Sequence, residues 1–191
     1  MKSVLSTGLL MFLMLLGSCA SPKAGRLPES STQLMELDAG YVILRELLAD
    51  ESNLDSILLL KSTSDSTETL LRDIAESCSE MLKQLDRLAE NNPELTMAFN
   101  GLPQVEVLVR DAIASRTGMQ LLSANEDDFE YLVLITQDSA MSYGKHLAEA
   151  LAGMHSNAEA SGEFMQMSER MSALHNRVKE RLKSLCDDGS D

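Results

Sequence analysis

The sequence predicts an all-α fold, an antiparallel four- or five-helix bundle with coiled-coil-like seams behind a short N-terminal tether. Three observations carry this. Apolar residues recur by threes and fours over long stretches, the spacing of one helix face. Leu, Ala, Met, Glu and Ser dominate, aromatics make up 4% and Trp is absent, which suits helices. Only 4 prolines occur, and three fall outside any helix interior that the pattern defines.

The first helix is expected from Ser30 or Ser31. Ser30 and Gln33 fit a capping box, in which each side chain bonds the other's free backbone N–H. Leu34, Leu37, Tyr41, Leu44 and Leu48 then follow in three-four spacing. Asp50 to Asn53 interrupts, Leu54 to Leu60 reads as a second piece, and Ser62 to Asp65 is a break. A cap at Asp65 with Glu68 opens the second helix, where Leu71, Ile74, Cys78, Met81, Leu85 and Leu88 alternate by three and four without a gap. At about 1.5 Å per residue this helix is roughly 39 Å long. Asn91-Asn92-Pro93 ends it, and residues 93–102 connect, with one helical turn expected at Glu94 to Phe99.

Pro103 suits the first position of the third helix. Val105, Leu108, Val109, Ala112, Ile113, Met119 and Leu122 form its wide apolar face. Ser123 with Glu126 fits a further capping box, and the fourth helix is expected over about Glu126 to Ser156. Residues 129–135 are nearly all apolar and strand-like in isolation, but helical spacing continues on both sides. Ala140, Gly144, Ala148 and Ala152 put a stripe of small residues on this helix, which lets a neighbour approach closely. After a turn near Asn157 to Gly162, the last helix carries Phe164, Met167, Met171, Leu174, Val178 and Leu185 in the same spacing, with Arg181 at a seam position. That arginine implies that the end of the last helix is not fully buried. No fixed-period repeat is present. Short loops between long helices favour antiparallel neighbours.

The N-terminus has a separate logic. Lys2 is followed by an apolar run, Leu9 to Leu16, too short to span a bilayer, which needs about 20 residues. Gly17 and Ser18 are small, as a signal-peptide cleavage site requires. Leu16-Gly17-Ser18-Cys19 closes the segment, and the whole resembles the signal peptide of a bacterial lipoprotein. The resemblance implies cleavage between Ser18 and Cys19, with a diacylglycerol on the Cys19 sulfur as a covalent lipid and no other cofactor. Each buried CH₂ would contribute about 0.8 kcal/mol to anchoring. Residues 1–18 are then a removed signal peptide, 19–31 a lipidated tether, 32–186 the bundle and 187–191 a polar tail. The tether spans at most about 40 Å. Ala20, rather than Asp, follows Cys19, which by the rules of that family points to the periplasmic face of the outer membrane. A Gram-positive source would place the chain outside its single membrane.

Taking 18 residues from 191 leaves 173, enough for one domain with a real core. Taking Lys2 from the 16 Lys+Arg leaves 15 against 30 Asp+Glu, a formal charge of −15. Such a field excludes nucleic acid as a partner and repels anionic headgroups. It also simply keeps an acidic surface solvated. With Cys19 lipidated, Cys78 and Cys186 remain. An even count in an oxidising compartment permits one disulfide, while a reducing one leaves Cys78 a small buried apolar residue.

No Gly-x-Ser-x-Gly, His-Glu-x-x-His, Gly-x-Gly-x-x-Gly, P-loop or Cys-x-x-Cys motif occurs, so no catalytic residue is assigned and the chain reads as a non-enzyme. Ferritin-like bundles bind metal through Glu-x-x-His pairs. Here only the reversed His146-Leu147-Ala148-Glu149 and an i,i+4 pair, His155 and Glu159, come near that pattern. Met154, Met165, Met167 and Met171 cluster in sequence with His155 and His175, and thioethers suit Cu(I). Met167 and Met171, however, fall on the seam, where methionine fills core gaps. The sequence thus leads to a lipid-anchored, non-enzymatic bundle that binds an envelope protein or a second copy through its seams. The alternative is a metal-binding bundle using His146, Glu149, His155 and His175.

Overall fold

Five helices follow one another: α1 (Ser31–Glu51), α2 (Asp65–Glu90), α3 (Gln104–Ser123), α4 (Glu126–Met154) and α5 (Ala158–Asp188), with a 3-10 segment at Leu54–Leu59. They come from a computed structural model that describes residues 31–97, 102 and 104–188. Ser30, Phe99, Pro103 and residues 189–191 lie outside the described residues, as does the N-terminal segment through Cys19. Among the described residues there is no strand, and no helix is long and apolar enough to cross a membrane.

Four helices close a ring. α1 packs on α2, α2 on α5, α5 on α4, and α4 returns to α1. Polar pairs show antiparallel neighbours: Arg45 with Asp86, Asp73 with Arg177, and Asp138 with His175. The seams supply the core. Leu71, Ile74, Cys78, Met81 and Leu85 of α2 are completely buried, as are Tyr41, Leu44 and Leu48 of α1. Phe129, Val133, Leu134 and Met141 of α4 and Phe164, Met167, Met171 and Val178 of α5 complete it. Burying a side chain of this size contributes about 1.5–3 kcal/mol.

The small-residue stripe of α4 lies where helices crowd. A Cβ on Gly144 would come 2.6 Å from Met171 Sδ and 2.7 Å from a methyl of Leu47, so α4 meets both α5 and α1 there. Gly40 of α1 lies equally close to Leu151. A larger residue at either position would force Met171, Leu47 or Leu151 to shift.

Several ends differ from expectation. The cap of α2 is Ser64, whose side chain accepts from Thr67 N, rather than Asp65 with Glu68. Asn125, not Ser123, caps α4 and accepts from Asp128 N. In both cases a neighbouring short polar side chain holds the extended backbone that a cap needs. Residues 94–97 form no helical turn. Asp38, buried in α1, accepts from Thr96 Oγ1 and Met97 N, both at 2.8 Å, and draws the connection across the bundle end. Met97 there takes φ 52°, left-handed backbone that needs such support. The α4–α5 turn is shorter than expected, because α5 begins at Ala158. Its far end continues helical through Asp188, past the start of the expected tail.

The largest departure is α3. It lies outside the ring and packs chiefly on α4. Its wide apolar face points outward. Val105, Leu108, Val109, Ile113, Met119 and Leu122 are 47–67% exposed.

Candidate functional site

The residues singled out in the sequence do not converge. Ser18 and Cys19 lie outside the described residues. Cys78, buried, and Cys186, exposed, are not bonded to each other, so the disulfide that an even count permits is not formed. The pairs Asp73–Arg177 and Glu80–Arg170 set Cys78 level with position 172 of α5. Cys186 lies about fourteen residues further on, roughly 21 Å along the helix. A disulfide needs Cα atoms within about 7 Å. Burial, with the Glu51 charge as a second cause, pushes the Cys78 thiol up to about 12.

Each histidine has its own carboxylate or hydroxyl partner. His146 Nδ1 lies 2.9 Å from Glu149 Oε2 on the exposed face of α4. The hydrogen bond with His146 is the main cause of the lowered Glu149 pKa, and Ser168 and Lys145 also favour the carboxylate. His175 Nε2 lies 2.9 Å from Asp138 Oδ1. His155 turns inward rather than toward Glu159. Its Nε2 lies 2.9 Å from the Tyr41 hydroxyl, and its ring stacks on Phe164. Tyr41 meets both rings edge-on, so this is an aromatic plug at one bundle end. Among the described residues, no group of three or more His, Cys, Asp or Glu is placed to hold a metal ion. Met167 and Met171 are core residues, while Met165 is exposed and Met154 half-buried.

Two polar assemblies escaped the sequence reading. At the other bundle end, Glu130 of α4 receives Ser64 N at 3.0 Å, Ser64 Oγ at 2.8 Å and the Thr67 hydroxyl. Arg181 Nη2 closes the cluster at 2.6 Å. Burial alone would raise the Glu130 carboxyl. The hydrogen bonds from Thr67, Ser64 and Arg181 outweigh it and hold the pKa at about 2. No residue from Lys179 to Asp187 is fully buried, as expected for this end of the last helix, but the side chains of Arg181 and Glu130 are only 15% and 12% exposed, so Arg181 does not lie open to solvent. It instead clamps α5 to α4 and to the start of α2. The second assembly is Glu51 at the end of α1. Burial pushes its carboxyl up to about 7, the Gln137 amide opposes the rise and Asp50 adds to it.

The surface feature left is α3. Its inner side, with Val107 and Ala114, faces α1 across a groove of about 930 Å³ that Tyr143 of α4 also lines. Arg45, Glu46 and Arg110 add charge to the lining. Leu121 and Ala124 pack against the core, and Lys61 Nζ donates to Ala124 O at 2.7 Å, so the far end of α3 is fastened. The outer side is predominantly apolar along the helix, about 30 Å, interrupted by Ser115 and Arg116, and nothing among the described residues covers it. Monomers rarely expose patches above about 300–600 Å², and larger ones mark interaction surfaces. No protein-family model, curated protein or solved structure matches this chain.

Proposed function

We propose that the chain is an envelope lipoprotein, anchored through lipid on Cys19, whose helical bundle is a non-enzymatic protein-interaction module. The outward apolar face of α3 carries the interaction part of this reading. A helix that is apolar on both sides normally has neighbours on both, and here only the inner side faces the ring. The motif Leu16-Gly17-Ser18-Cys19 after a short apolar run supports the anchor, and Ala20 rather than Asp after Cys19 favours the periplasmic face of the outer membrane. The polar clusters support the non-enzymatic part. Glu130 and Arg181 saturate each other and the α2 cap, and the three histidines sit in separate pairs.

Metabolic labelling with an alkyne-tagged palmitate tests the anchor. The expected result is label in the wild-type chain and none in Cys19→Ala, with that variant released from the membrane fraction. An unlabelled wild-type chain sinks the anchor. A photo-cross-linking residue at Val109 tests the module. Protein adducts are expected there and not at Asn176, an exposed position on α5. The absence of any protein adduct from Val109 sinks the module.

A further inference from the structure

We propose that the partner of the outer α3 face is the α3 of a second copy, packed antiparallel. The proposal deepens the interaction reading of α3 and does not depend on the lipid. Val105, Leu108, Ala112, Ser115, Met119 and Leu122 recur by three and four, the spacing of a two-helix seam, and all six are exposed.

The order of these six residues is self-complementary. In an antiparallel pair centred between Ile113 and Ala114, Val105 lies opposite Leu122, Leu108 opposite Met119 and Ala112 opposite Ser115. The same three layers repeat on the other half, as a two-fold isologous contact requires. Large side chains fill the outer layers. The small central layer lets the helices come close, as Gly144 does inside the ring.

Charge points the same way. Residues 104–123 contain two basic residues, Arg110 and Arg116, and two acidic ones, Glu106 and Asp111. The formal charge of −14 therefore resides entirely on the rest of the chain. Two such chains repel over most of their surfaces, and α3 is the helical face that can approach its own copy without that penalty. The apolar patch is on the order of 500 Å², below the roughly 800 Å² per partner of a standard stable interface. The pairing is accordingly a modest one, best read by covalent trapping.

The test uses the full-length chain in its own envelope with Cys186→Ser, so that no exposed bundle thiol competes. Chains carrying Val105→Cys and chains carrying Leu122→Cys are expressed separately and together, then treated with a short thiol cross-linker. Co-expression should give a covalent species of twice the chain mass. Each chain alone should give less than a tenth of it, because equal positions lie about 25 Å apart in the antiparallel pair. Adding Leu108→Glu and Met119→Glu should remove at least nine-tenths of the dimer. Both positions are exposed, so helical content by circular dichroism should be unchanged. Absence of the dimer overturns the proposal, as does equal dimer from either population alone. Adducts only to a protein of another mass also overturn it, while leaving the interaction module standing.

Discussion

The seams of α2 and α3 look alike in sequence and end in opposite environments. From Leu71 to Leu85 every seam residue of α2 is completely buried, whereas the large apolar residues of α3 are about half exposed or more. Three-four spacing specifies that a helix has an apolar face. It says nothing about which helix, or whether any helix of the same chain, covers that face. The ring needs four helices to close, and α1, α2, α4 and α5 close it. α3 is the fifth, left with one side on α4 and the other in solvent.

The sharpest way to break that contrast is truncation on each helix. Leu71→Ala should lower unfolding free energy by about 2–5 kcal/mol, because a cavity opens in a core that cannot fully collapse. Ile113→Ala should change it by less than about 0.5 kcal/mol when urea unfolding is followed at high dilution. Equal losses would mean that α3 is core after all.

The next effect tests the clamp that fastens the ring's end. Arg181→Met leaves Glu130 buried without its counter-charge and should lower stability by about 3 kcal/mol. Joining it with Glu130→Leu should restore most of that loss, since two apolar side chains remove the stranded charge. A double variant no more stable than Arg181→Met alone would show that the hydrogen bonds to Ser64 and Thr67 dominate.

The two ring carboxylates should bend the pH profile in opposite directions. Glu51 has its folded pKa raised from 4.5 to about 7, so the folded state holds its proton more tightly. Its contribution is complete below about pH 4.5 and is lost as pH rises to about 7. Glu130 is lowered from 4.5 to about 2, so its contribution is present above pH 4.5 and lost as pH falls toward 2. Glu51→Gln should therefore raise stability at pH 8 by about 2–3 kcal/mol and flatten the loss between pH 4.5 and 7. A wild-type chain whose stability rises steadily from pH 4.5 to 8 would contradict this.

The smallest effect is a surface control. Arg72 and Glu68 form an exposed i,i+4 pair on α2, and Arg72→Ala should change stability by only about 0.3–0.5 kcal/mol. Against Arg181→Met on the same assay, it shows that burial, not the presence of an ion pair, sets the magnitude.

Much of the ring was legible residue by residue. Leu37, Tyr41, Leu44 and Leu48 face inward at the predicted spacing, and Phe164 to Val178 do the same on α5. The small stripe of α4 correctly signalled close packing. Caps were read one or two residues away from their true positions, because runs such as Ser62-Thr63-Ser64-Asp65 offer several similar side chains. The Glu130 cluster was invisible in the sequence. Its members, Ser64, Thr67, Glu130 and Arg181, belong to three helices far apart in the chain, and no local pattern links them. Arg181 was visible only as an exception to a seam.

The sequence alone determined that this chain is helical, where each helix lies and which side of it is apolar, because those properties follow from local spacing and turn chemistry. It also set the acidic surface and the lipoprotein-like N-terminus. Tertiary structure decided which faces meet. It placed Arg181 beside Glu130, separated Cys78 from Cys186, gave each histidine its own partner and left α3 outside. These outcomes depend on how four cylinders close around one core, and closure is a property of all four helices together.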